Sequence, residues 1–330
     1  MKALILSDEG QIEIANKPVP KLSKNQVLVK VKAAGLNKRD QFIREGKYPG
    51  IILNTTLGSD ASGVVESVND PDSDAWLGKE VIVNPNSNWG PNPNVQSARY
   101  SILGMPKEGT LAEYLVTDSS RLSEKPNHLS FEEAAALPLG GLTAFRACFH
   151  HGKIMADKNV LISGFGGGVA QFAFQFAQAV KANAYVTSSS EDKLQKALDA
   201  GAKGAFNYKD PDWHKNVWKT KGGFDVVIDS AGGDQINTFI KLMRPAGTIV
   251  FFGATNGLPS TLDLYRMFWN QVALQGSTMG SDKEFEEMVR FVDEHKIHPM
   301  LDSVRPFDEA ISAFDDMAQN KKTGKLVLKL

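Results

Sequence analysis

The chain has 330 residues, enough for two domains of about 150 residues that each bury a core, so a small stapled scaffold is excluded. Lys plus Arg (37) balance Asp plus Glu (38) at a net charge of -1, and 23% charged with 42% hydrophobic residues is the balance of an ordinary soluble protein. Nucleic-acid surfaces, acidic tails and disorder are not indicated. The single cysteine, Cys148, can form no internal disulfide, and no cysteine set exists for structural zinc or an iron–sulfur cluster.

The N-terminal apolar run Met1 to Leu6 is too short for a signal-peptide core, which with the lone cysteine points to the cytoplasm. Up to about residue 120, short β-type runs (Val27 to Val31, Val64 to Glu66, Val81 to Val83) alternate with Gly, Pro, Asn and Asp, as in a small antiparallel β domain. Asp70, Asp72 and Asp74 mimic a calcium loop, but Ala75 and Val81 stand where Gly and Glu are required. Asn84 to Asn94 is so rich in Asn and Pro that a loop is expected.

After Pro126 the pattern becomes strand, helix, strand, helix. Val160 to Ile162, Ala184 to Thr187, Phe224 to Ile228 and Ile249 to Phe252 read as strands. Helices are expected over Val169 to Val180, from an N-cap at Ser190 to Ala200, and over Asp234 to Met243. Such alternation predicts an α/β fold with a doubly wound parallel sheet. Asn159 to Val180 is uncharged and long enough to cross a bilayer, but its glycines and glutamines and its change of period mark a buried strand, turn and helix. Further helices are expected near Lys283 to Glu294 and Phe307 to Gln319, then a terminal strand Lys325 to Leu330.

The strongest chemical signal is Ser163-Gly164-Phe165-Gly166-Gly167-Gly168-Val169-Ala170, directly between a strand and a helix. Glycines allow the tight turn and close approach of backbone amides, and the helix N-terminus favours an anion, so a dinucleotide pyrophosphate is the expected ligand. No acidic residue follows about twenty residues on, where one would bind the adenosine ribose. Thr187, Ser188, Ser189 and Ser190 with Lys193 instead offer donors and a cation to a 2′-phosphate, favouring NADPH over NADH.

With these motifs in order, the sequence resembles the medium-chain dehydrogenase/reductase superfamily, in its zinc-independent quinone oxidoreductase-like branch. The resemblance rests on Gly35-Leu36-Asn37 with Asp40, Gly46 to Pro49, Gly58 to Val65, Gly109 to Tyr114, Leu137 to Ala144, Asp225 to Asp229 and Gly324 to Leu328. It implies a GroES-like β-rich catalytic domain (1–125, completed by 272–330) and an inserted Rossmann domain (126–271), with the cofactor in the cleft. It also implies that Thr143 contacts the nicotinamide side, that Gly166, Gly167, Gly168 and Val169 hold the pyrophosphate, and that Ser188, Ser189, Lys193 and Tyr208 hold the 2′-phosphate. Phe252, Gly253, Thr255 and Lys325 would complete the cofactor wall. A homodimer or homotetramer through the edge of the Rossmann sheet, near Leu264 to Leu274, is implied as well.

Where the zinc relatives carry Cys and His ligands, this sequence has Asn37 and Ser59, so no metal is expected. Charge developing on a substrate oxygen must then meet hydrogen-bond donors. Asn37 would orient the substrate or the nicotinamide ribose; Tyr48 either supplies the donor or packs beside Pro49 as a wall. The expected function is NADPH-dependent reduction of small quinones, enones or related activated carbonyl compounds. Enoyl or alkenal double-bond reduction and a non-catalytic NADPH-binding regulatory or structural role are the alternatives. No nucleic-acid or membrane partner is expected.

Overall fold

Alternation along the strand Gln26–Gly35 buries Val27, Val29 and Val31 on one side, and this strand is the hub of a seven-stranded sheet. The sheet runs Leu122–Glu124, Glu80–Val83, Asp60–Val68, Gln26–Gly35, Lys325–Lys329, Leu301–Pro306, with Tyr114–Asp118 also paired to the hub. All its pairings are antiparallel except that of Leu301–Pro306 with Lys325–Lys329. The two ends of the chain therefore build one sheet. The computed structural model describes residues 1–319 and 323–330.

Two compact units result: Met1–Leu142 with Gly280–Leu330, and Thr143–Met279. These boundaries lie later than residues 126 and 272. The reason is that the helix Phe131–Ala136, capped by a reciprocal Ser130–Glu133 box, packs on the hub strand. A Cβ at Gly35 would sit 2.5 Å from the Ala135 carbonyl oxygen, so glycine permits that approach.

In the second unit, six parallel strands run in the order Gly204–Asn207, Asn183–Ser188, Asn159–Ile162, Phe224–Asp229, Met243–Phe251, Ala273–Gly276. In sequence order that is 3-2-1-4-5-6, the dinucleotide-binding arrangement. Leu161, Phe224, Val227, Phe239 and Ile249 form its core on one face. The helix Gly168–Ala179 buries Phe172, Ala173 and Phe176, as its spacing requires, and Phe174 too. Asn159 to Val180 is thus a strand, turn and helix, and among the described residues no helix is long and apolar enough to cross a membrane.

Several elements depart from the sequence reading. The strand Gly204–Asn207, the helix Leu264–Asn270 and the edge strand Ala273–Gly276 were not anticipated. Within the Asn/Pro-rich stretch, Asn86–Ser87 pairs with Ser101–Leu103. Asp70 caps the short 3-10 helix Pro71–Trp76 by accepting from the Asp72 N–H at 2.9 Å. Cys148 lies in a π-helical turn, where burial pushes its thiol up and keeps it inert.

Candidate active site

Register in the first unit sets three polar residues side by side. Gly35 pairs with Asp60 and with Val327, and the Leu36 N–H donates to the Leu326 carbonyl at 2.9 Å. Asn37, Asp60 and Lys325 consequently meet at adjoining strand ends, all nearly or fully buried. Lys325 Nζ donates to Asn37 Oδ1 at 2.6 Å and to Asp60 Oδ2 at 3.0 Å, while Asn37 Nδ2 donates to the same Asp60 oxygen at 2.9 Å. The Leu139 N–H donates to the other Asp60 oxygen at 2.8 Å. The structure thus brings Lys325, expected at the cofactor wall, into this buried ion pair.

Asn37 also starts the helix Lys38–Arg44, with Asp40 Oδ2 accepting the Asn37 N–H at 2.9 Å. From that first turn Arg39 turns inward. Its Nη1 donates to Ser59 Oγ at 2.6 Å and the Leu103 carbonyl at 2.8 Å, and its Nη2 to the Met105 carbonyl at 3.3 Å. Its Nε donates to the Tyr48 hydroxyl at 3.3 Å, and the guanidinium carbon lies 4.7 Å from the centre of the Tyr48 ring. Tyr100 belongs to the same neighbourhood: burial pushes its phenol up, Tyr48 adds to the rise and Arg39 opposes it. Trp89 packs edge-on against Tyr100 at 5.4 Å, and the Tyr100 hydroxyl donates to Asn86 Oδ1 at 2.8 Å.

Zinc does not suit this donor set. Of the two positions at which the zinc relatives place Cys and His, the Asn37 oxygen already accepts an ammonium and the Ser59 oxygen a guanidinium. A dication would face two cations and gain neither thiolate nor imidazole. Among the described residues, no group of three or more His, Cys, Asp or Glu side chains could hold a metal.

Arg39 escaped the sequence reading, although a signal was present. Lys38 and Arg39 occupy the first turn of a helix, where the dipole disfavours cations, so another interaction must hold Arg39 there. Asp40, one of the residues that carry the family resemblance, is fully buried, and its burial has a further effect. Desolvation outweighs the Arg39 charge and raises its carboxyl from 3.8 to about 6. The folded chain therefore holds this proton more tightly than the unfolded chain does. The resulting stability is complete below pH 3.8 and is lost as pH rises through about 6. A shift of about two pH units corresponds to roughly 3 kcal/mol. Asp40→Asn keeps an acceptor for the Asn37 N–H, so melting temperatures of the variant are expected to vary less with pH between about 4 and 7 than those of the native chain; parallel curves would refute this.

In the second unit the glycine loop follows the strand Asn159–Ile162, with Gly164 at φ 66° and Gly166 at φ 134°. Gly167 is the N-cap of the helix Gly168–Ala179 and supplies no side-chain cap, leaving the first-turn amides of Gly168 and Val169 directed out of the helix end. A Cβ at Gly166 would lie 2.9 Å from Lys193 Nζ, so the lysine arches over the loop itself. Ser190 caps the helix Glu191–Asp199, and Ser188 Oγ accepts the Ser190 N–H at 3.3 Å. Ser189 is half-buried and Tyr208 is exposed, its N–H donating to the Ser188 carbonyl at 3.2 Å. On the neighbouring strand end, Phe252 donates its N–H to the Asp229 carbonyl at 3.0 Å, Gly253 abuts the Ser230 carbonyl, and Thr255 Oγ1 reaches that carbonyl at 3.5 Å. Buried Asp229, unnoticed as a site residue in the sequence, accepts from Ser163 Oγ and from the Gly232 N–H and so ties the glycine loop to the next strand's turn. Thr143, almost buried, directs its hydroxyl to the Met279 sulfur at 3.7 Å. This loop, with its open helix terminus and overlying lysine, fits a dinucleotide phosphate.

Known proteins share this architecture. The alcohol dehydrogenase GroES-like domain model matches residues 23–127, and the zinc-binding dehydrogenase model residues 168–294. A zinc-type alcohol dehydrogenase-like protein YogA of Leptosphaeria maculans is 36% identical, covering 97% of this chain and 94% of its own length. The quinone oxidoreductase of Mus musculus is 28% identical over 95% and 91% of the two chains. Among solved structures, an NAD-dependent alcohol dehydrogenase superposes with a TM-score of 0.93 at 35% identity, covering 100% of both chains. A crotonyl-CoA carboxylase/reductase in complex with NADP superposes with a TM-score of 0.90 at 25% identity, covering 100% of this chain and 94% of that one. On this shared sequence and two-part architecture, the chain belongs to the medium-chain dehydrogenase/reductase superfamily.

Proposed function

We propose that the chain is a zinc-independent, NADPH-dependent oxidoreductase that reduces quinones, enones or related activated carbonyl compounds. The observation that carries the reading is the pair of side-chain cations, Lys325 and Arg39, hydrogen-bonded to Asn37 and Ser59 at the positions of two zinc ligands in the relatives. The glycine loop supports a nicotinamide dinucleotide, and Lys193 with Ser188, Ser189 and Tyr208 supports the 2′-phosphate form. When bound, such a cofactor supplies a hydride. Tyr48 is then the donor toward the substrate oxygen, and Asn37, fixed by Lys325 and Asp60, keeps the adjoining backbone in place.

The crotonyl-CoA reductase name of one neighbour favours the second reading, reduction of a conjugated carbon–carbon double bond. The NAD-dependent name of another makes cofactor preference the first quantity to measure. The exposed aromatic residues Tyr265, Phe268 and Trp269 beside the edge strand Ala273–Gly276 support a second copy of the chain as partner.

One preparation tests the set. Its zinc content and sedimenting mass are measured, it is titrated with NADPH and NADH, and it is assayed on small quinones and enals. Tighter NADPH, no stoichiometric zinc, a mass at least twice that of one chain and quinone turnover are expected. Firmly held zinc or preference for NADH overturns the metal or cofactor assignment, turnover of enals alone selects the second reading, and tight NADPH binding without turnover selects a non-catalytic role.

A further inference from the structure

We propose that Arg39 is the fixed cation of the site and a positioning residue that acts through Tyr48, holding its phenol oxygen and receiving the charge left there when Tyr48 gives up its proton. The inference rests on the reading of Tyr48 as donor. Arg39 is only 9% exposed, and the acceptors within hydrogen-bond distance, Ser59, Leu103, Met105 and Tyr48, are all uncharged. The nearest carboxylate oxygen, Asp40 Oδ1, lies 3.8 Å away, and Asp60 is engaged by Lys325, Asn37 and the Leu139 N–H. A buried guanidinium so weakly neutralised favours an anion that appears beside it.

The hydrogen bonds also set a direction. A guanidinium only donates, so Arg39 Nε occupies a lone pair of the Tyr48 oxygen and the phenolic O–H must point elsewhere. A bound reduced nicotinamide would supply a hydride, its own C–H bond breaking to leave the oxidised ring, and a carbonyl carbon, or the β-carbon of an enone, would gain the new C–H bond. The displaced π pair moves to the substrate oxygen. The Tyr48 O–H bond breaks, its proton forms an O–H bond on that oxygen, and its electron pair stays as a phenolate against Arg39 until water returns a proton.

The test uses the full chain with NADPH and four variants: Arg39→Gln, Arg39→Lys, Tyr48→Phe and Arg39→Gln with Tyr48→Phe. Arg39→Gln is expected to lower kcat on the order of 100-fold, with KM for NADPH changed less than about threefold, and the double variant to be no slower than Tyr48→Phe. Arg39→Lys, which keeps the charge without the fork, should recover part of kcat and serves if Arg39→Gln does not fold. A readout free of turnover is 4-nitrophenol, whose ionised form absorbs at longer wavelength. It should bind the native chain as phenolate and Arg39→Gln as neutral phenol, with Arg39→Lys retaining the phenolate band.

Losses that multiply in the double variant, an unchanged phenolate band in Arg39→Gln, or no nitrophenol binding to the native chain would each overturn the Arg39 assignment, while a slow Tyr48→Phe leaves the reading of function standing. Full-speed Tyr48→Phe overturns the Arg39 assignment together with Tyr48 as donor and leaves the reductase reading standing. If the native chain is inert toward quinones and enones, the reading of function falls, and the nitrophenol band alone decides for or against Arg39 as the cation.

Discussion

Lys325→Met is expected to destabilise the first unit by about 3–5 kcal/mol, the range for breaking a buried ion pair from one side. Asp60 has no exposed surface, and the ammonium is its one cationic partner within 4.0 Å among the described residues. Without it, the carboxylate keeps only the Asn37 Nδ2 and Leu139 N–H donors and must remain charged in a dry setting or take up a proton. Asn37 Oδ1 loses its donor too. Denaturant unfolding measures the effect, and pairing Lys325→Met with Asp60→Asn should restore much of the loss by removing the stranded charge. Lys329→Met is the control: its bond to Glu132 is long and its side chain is 67% exposed, so a change within about 0.5 kcal/mol is expected. A loss for Lys325→Met no larger than this control's would mean that water reaches Asp60.

The sequence exposed the parts of this site that are local and hid those that are not. Gly164, Gly166, Gly167 and Gly168 lie within five residues between a strand and a helix, and the backbone geometry they need is encoded in their lack of side chains. The parallel strands declared themselves because burial on both faces produces short apolar runs such as Val160 to Ile162. Arg39 is different, since three of its four acceptors lie 20, 64 and 66 residues away and two of these are backbone carbonyls that no side-chain pattern encodes. Lys325 matched a family motif, yet its role depends on strand register: Leu36 bonded to Leu326 is what sets it beside Asn37. The helix Leu264–Asn270 went unseen for a third reason. Its aromatic residues face outward, so no apolar stripe toward a core marks it.

Lys193→Ala is expected to weaken NADPH binding by about 10- to 100-fold, since a hydrogen bond to a charged group contributes about 1.5–3 kcal/mol and 1.4 kcal/mol is tenfold. The distribution of that loss between the two cofactors is the informative part. If Lys193 reaches the 2′-phosphate, NADH affinity should stay within about threefold, because NADH lacks that group. The structure also sets Lys193 over Gly166, on the loop assigned to the pyrophosphate that both cofactors share. An equal loss for NADH would place the lysine on the shared pyrophosphate and remove it from the basis for cofactor choice, leaving Ser188, Ser189 and Tyr208. Glu191 sharpens the comparison. It accepts from Asn207 Nδ2 at 2.5 Å beside Tyr208, so a negative charge already stands near the proposed 2′-phosphate position. Without a cation to offset it, that charge disfavours NADPH and leaves NADH unaffected, so the preference between the two cofactors, measured as a ratio of dissociation constants, should collapse or reverse in Lys193→Ala.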